Sequence, residues 1–91
     1  MFMEIDVVVD ALPHLERLRA ELAGRRWTAE VRDGGERPVL RVRNPAEPGM
    51  CDQVVCQGEV FRWAGGGPIG PITDIVGVAD RITFVLREVT P

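Results

Sequence analysis

The sequence contains no lysine, no serine and no tyrosine, and only one histidine and two cysteines among 91 residues. Each absence closes off a chemistry. Without lysine there is no Schiff-base amine and no Walker-type phosphate loop. Without serine or tyrosine there is neither a serine nucleophile nor a phenolic acid. One imidazole and two thiols fall short of the four ligands a structural zinc ion takes, so no metal or other cofactor is expected. Apolar runs are also short. None approaches the ~18 residues of a membrane helix, and Met1–Val9 carries Glu4 and Asp6 where a secretory leader would be basic. A cytoplasmic chain that does not touch the membrane is the expectation.

What is present is the composition of one folded domain. The chain is 45% apolar and 27% charged, and residues 1–91 are expected to form a single α+β unit. The net charge is −3 and every cation is an arginine. Eight of the arginines fall in residues 17–43, against four acids.

Periodicity divides the chain. Residues 3–9 alternate, with Met3, Ile5, Val7 and Val9 on one side, as a short strand or an extension of the next helix would. Leu12, Leu15, Leu18 and Leu22 recur at helical spacing, with Asp10 as N-cap and Gly24 as C-cap. Strand patterns follow at Trp27–Asp33 and Val39–Arg43 around the turn Asp33-Gly34-Gly35-Glu36. Asp52–Cys56 and Glu59–Ala64 read as a second hairpin around Gln57-Gly58, and Gly65–Pro71 as a loop. A last helix starts from Thr73 as N-cap, with Ile75, Val78, Ile82, Val85 and Val89 as its apolar stripe and Ala79 and Leu86 beside it. The predicted fold is a four-stranded antiparallel meander with two helices on one face, in the order (β)αββββα.

Leu18-Arg19-Ala20-Glu21-Leu22 with Trp27, Val39 to Pro45, Phe61-Arg62-Trp63 and Ile69…Asp74…Ala79-Asp80-Arg81-Ile82 resemble small hypothetical proteins of actinobacteria. The resemblance covers residues 12–86 by pattern. It implies a lineage and brings no mechanism with it.

Gly65-Gly66-Gly67-Pro68-Ile69-Gly70 satisfies G-x-G-x-x-G between a strand and a helix, the setting in which backbone N–H groups hold a pyrophosphate. Pro68 and Pro71 remove donors, however, and no second parallel strand follows, so a plain connection is the simpler expectation. Cys51 and Cys56 sit at an odd spacing that turns them to opposite faces of a strand, which argues for two free thiols. His14 falls on the polar side of the first helix, where it is expected in solvent. Trp27 and Trp63 fall on inward positions and are expected in the core.

Thr28, Glu30, Arg32, Arg41, Arg43 and Arg62 mark one wet face of the sheet. Cross-strand ion pairs with Glu30, Asp33 and Glu36 are the expected fate of its guanidinium groups. Val8, Val76 and Phe84 are apolar beyond what short strands cover. Self-association, with a further protein as a second kind of partner, therefore leads the functional reading: a non-catalytic interaction or regulatory module, homodimeric. The alternative is a small anionic-ligand-binding protein or enzyme using Arg32, Arg41, Arg43, Gly65, Gly67 and Gly70. Interleaved acids argue against tight sequence-specific binding of nucleic acid.

Overall fold

A computed structural model describes residues 11–33 and 37–87. The order is α1 (Ala11–Gly24), β1 (Thr28–Arg32), β2 (Val39–Arg43), β3 (Cys51–Gln57), β4 (Val60–Trp63), β5 (Pro68–Pro71) and α2 (Ile75–Leu86). The strands form one five-stranded antiparallel sheet in the order β1-β2-β3-β4-β5. The α+β meander predicted from the pattern is thus present, with one strand more than the four expected. The predicted strand over residues 3–9, the expected N-cap Asp10, the turn residues Gly34 to Glu36 and Val89 lie outside the described residues.

The extra strand is β5, in the segment read as a loop. Its two prolines misled the pattern because proline cannot donate to a ladder. On a sheet edge that loss is tolerated, and β5 is an edge strand. Its register against β4 shifts between Phe61 and Arg62, as at a bulge.

Alternation along the strands sorts side chains to two faces. Leu40, Val42, Val54, Phe61 and Ile69 form one core with Leu15, Leu18 and Leu22 of α1 and Val78, Ala79, Ile82 and Leu86 of α2. Both helices therefore cover the same face. α1 lies over β1, β2 and β3, while α2 lies against β5 and α1. Trp27 and Trp63 pack against this core half-buried, close to expectation.

Helix ends differ from their sequence signatures in instructive ways. α1 does not use Gly24 as its left-handed closing residue. Arg26, at φ 67°, takes that conformation. The Trp27 N–H bonds the Leu22 carbonyl at 3.0 Å and the Arg26 N–H bonds that of Ala23 at 2.9 Å, the paired bonds of a Schellman turn. α2 is capped by Asp74 and not by Thr73: Asp74 Oδ1 accepts the Gly77 N–H at 3.1 Å. The buried stripe of α2 is rotated toward Ala79 and Leu86, which leaves Val85 exposed although the spacing placed it inward. The cause is a double contact, since α2 must meet α1 and the sheet at once.

Candidate functional site

Two surfaces stand out, one on each side of the sheet. The first runs along α2. Phe84 is 62% exposed, Val76 56% and Val85 51%. Phe84 and Val85 border a groove of about 440 Å³ whose other walls are Trp63, Pro68, Ile69, Asp80 and Arg81. Trp63 is held there by the turn that closes the β4–β5 hairpin. The Trp63 N–H bonds the Gly67 carbonyl at 3.0 Å, and the Gly66 N–H bonds the Trp63 carbonyl at 2.9 Å. Gly66 at φ 122° and Gly67 at φ 92° supply backbone angles that a side chain would resist.

The polar groups at this groove are already engaged. Arg81 donates to the Ile69 carbonyl from α2 to β5. Asp80 accepts from Arg25 at 2.7 Å, and Arg25 also meets Glu21 at 3.0 Å, which links the end of α1 to α2. The hydrogen bond to Asp80 holds the Arg25 guanidinium more firmly charged; desolvation opposes it, and Glu21 adds to it. Arg87 lies 4.3 Å from the Phe84 ring centroid, a cation–π contact on the exposed ring.

The second surface is the open sheet face. Arg32, Arg41 and Arg43 line one shallow depression of about 100 Å³ with Thr28, Glu30, Val42 and Cys51. The structure thus brings together the three arginines singled out from sequence. Among the described residues, which exclude the expected partner Glu36, their self-pairing is limited. Arg32 meets Glu30 at 3.3 Å, but Arg41, Arg43 and Arg62 have no ion pair among the described residues. The physical reason lies in register: Arg41 is flanked by Glu30 and Gln53, and Arg43 by Thr28 and Cys51, so these strands offer one carboxylate to several guanidiniums.

The glycines singled out with them go elsewhere. Gly65, Gly67 and Gly70 do not line that depression. The Gly66 N–H is spent in the hairpin turn, and Gly70 sits in β5 opposite Phe61. A Cβ on Gly70 would stand 2.9 Å from Val78 Cγ2 and 3.0 Å from an Arg81 nitrogen, so this glycine lets α2 approach the sheet. The G-x-G-x-x-G pattern is split between a turn and a strand and does not open the helix. Close packing of α2 was the signal behind Gly70 that a single sequence could not display.

The remaining chemistry-bearing residues are dispersed. Cys51 is exposed, facing outward beside Arg43, while Cys56 faces the core beside Phe61, and both are free. Burial pushes the Cys56 thiol pKa up, away from a reactive thiolate. His14 is half-buried, not solvated as expected, and its Nδ1 is buried without a hydrogen-bond partner among the described residues. No group of three or more His, Cys, Asp or Glu able to hold a metal ion occurs among the described residues. None of the described helices is long and apolar enough to cross a membrane. No protein-family model, curated protein or solved structure matches this chain.

Proposed function

We propose that this chain is a non-catalytic interaction module that pairs with a second copy of itself through the outer face of α2. The observation that carries this reading is the exposure of Val76, Phe84 and Val85 beside an apolar groove. Large apolar side chains exposed beyond the face that a helix buries call for a second surface to cover them.

The pattern along α2 supports a second copy in particular. Val76, Asp80 and Phe84 are four residues apart and so share one line on the helix. A two-fold axis through position 80 of two antiparallel helices brings Val76 of one copy onto Phe84 of the other. The same axis sets Asp80 of one copy beside Asp80 of the other, where Arg25 of each chain already holds its own carboxylate at 2.7 Å. The gain for so small a domain is stability linked to concentration.

Sedimentation velocity over a broad concentration range tests the reading. The expected result is a monomer–dimer equilibrium that Phe84→Gln shifts by at least about tenfold toward monomer. A chain that stays monomeric at the highest concentration, or a dimer indifferent to Phe84→Gln, overturns it.

A further inference from the structure

We propose that the open face of the sheet is a docking surface for an acidic, amphipathic segment of a partner protein. This surface lies opposite the helices and does not depend on self-association through α2.

The argument begins with charge. Arg32, Arg41, Arg43 and Arg62 project from three strands onto one face whose strand positions include a single acid, Glu30. The chain as a whole is acidic, at net −3, so this face opposes the sign of the molecule that carries it. Three of the four guanidiniums have no carboxylate partner among the described residues. An unpaired guanidinium keeps its bidentate donor fork available to an incoming carboxylate.

One row of the floor, from Arg32 through Val39 and Val55 to Arg62, is apolar between its two arginines. Val55 lies opposite Arg62, and Val60 lies opposite Gln57, both on the outward side of the sheet. Val39 stands beside Val55, because Leu40 and Val54 are paired neighbours one step along. Val55 is only 8% exposed, although both described helices lie on the other face. Among the described residues only its sheet neighbours can cover it, and the stems of long arginines cover apolar surface well while their heads stay in water. A ligand that displaces those stems gains a valine strip and meets the guanidinium heads at its margins.

That combination selects the occupant. The depression between the arginines holds only about 100 Å³, which is too little to enclose an ordinary metabolite. A nucleic-acid strand would want aromatic stacking platforms. None of the strand aromatics faces outward, since Phe61 belongs to the core and Trp63 packs against it. A segment that alternates carboxylate and aliphatic side chains matches both the charge and the floor.

The test titrates the whole chain into a fluorescein-labelled peptide of alternating Glu and Val, followed by anisotropy. Parallel arms use the Lys–Val peptide, poly-glutamate and a single-stranded oligonucleotide of equal length. The Glu–Val peptide is expected to bind at least about tenfold tighter than each of these, a difference of about 1.4 kcal/mol. Arg41→Glu combined with Arg62→Glu is expected to remove that preference while thermal melting stays unchanged. Arg62→Gln, which adds no charge, should weaken binding about threefold and carries the test if the double variant fails to fold. Poly-glutamate binding equally well removes the role of the valine floor and overturns the proposal. So does tighter binding of the oligonucleotide, or no binding by the Glu–Val peptide. Loss of peptide binding in Phe84→Gln would move the site to the groove on α2 and would also overturn it.

Discussion

The two helices lie on one face of one sheet and are covered unequally. α1 buries Leu15, Leu18 and Leu22 completely, and its other side carries charged residues such as Glu16 and Arg19, joined at 2.7 Å. α2 buries Val78, Ala79, Ile82 and Leu86, yet leaves Val76, Phe84 and Val85 in solvent. The difference follows from what each helix rests on. α1 spans three strands, whereas α2 rests on the edge strand β5, whose four residues Pro68-Ile69-Gly70-Pro71 offer one aliphatic side chain. A footing that narrow buries one side of the helix and leaves Val76, Phe84 and Val85 on the other side exposed.

The sharpest way to break this comparison is to cut into the covered half. Leu18→Ala is expected to cost about 2–5 kcal/mol, the usual range for truncating a fully buried leucine. Denaturant unfolding measures it. A loss below about 1 kcal/mol would mean that α1 is no better seated than the outer face of α2.

The second cut concerns how the helices end. α1 closes on its own backbone through Arg26 and Trp27, but α2 closes on a side chain from the β2–β3 connection. Asn44 is 5% exposed, donates from Nδ2 to the Leu86 carbonyl at 2.9 Å and accepts the Ala46 N–H at 2.8 Å. Asn44→Ala leaves both backbone groups short of a partner and is expected to cost about 1–3 kcal/mol. Hydrogen exchange should show the loss concentrated at the C-terminal turn of α2 and largely absent from α1.

These features were unequally legible in the sequence. Leucine spacing located α1, and period-two alternation sorted Leu40 and Val42 from Arg41 and Arg43 onto the correct faces, because each signal lies within a few neighbouring residues. β5 was missed because proline at a loop and proline at a sheet edge look alike until the sheet order is known. Asn44 sat in a run of turn formers, Asn44-Pro45-Ala46-Glu47-Pro48-Gly49, and nothing local marks its contact with Leu86, distant in the chain. Arg32, Arg41 and Arg43 share one face as the alternation implies, but that Arg41 and Arg43 have no ion pair among the described residues depends on register. The groove on α2 was foreshadowed by the apolar excess at Val76 and Phe84, while its walls at Trp63 and Pro68 come from strands whose pairing the pattern did not contain.

A smaller effect separates the two closures further. Arg26 holds a left-handed conformation that costs an ordinary side chain roughly 1–2 kcal/mol and a glycine almost nothing. Part of that difference is returned by the extra freedom glycine brings to the unfolded chain. Arg26→Gly is therefore expected to stabilise the domain by about 0.5–1 kcal/mol, read as a higher melting temperature. A lower one would mean that the Arg26 side chain contributes contacts beyond the turn.

The smallest effect on folding is expected at the residue with the largest expected effect on association. Phe84→Gln, measured at dilutions where the chain is monomeric, should change stability by no more than about 0.5 kcal/mol. The ring is 62% exposed, so little apolar burial is lost with it. Its contact with Arg87 is an exposed cation–π pair worth about 0.5–1 kcal/mol, and the better helix propensity of glutamine offsets part of that loss. Under the proposed pairing, denaturant midpoints for wild type and Phe84→Gln should therefore coincide when dilute and separate as concentration rises, the wild type gaining more from a second copy. A gap already present at high dilution would show that Phe84 stabilises the single fold, and the contrast between a satisfied α1 and an unsatisfied α2 would then be lost.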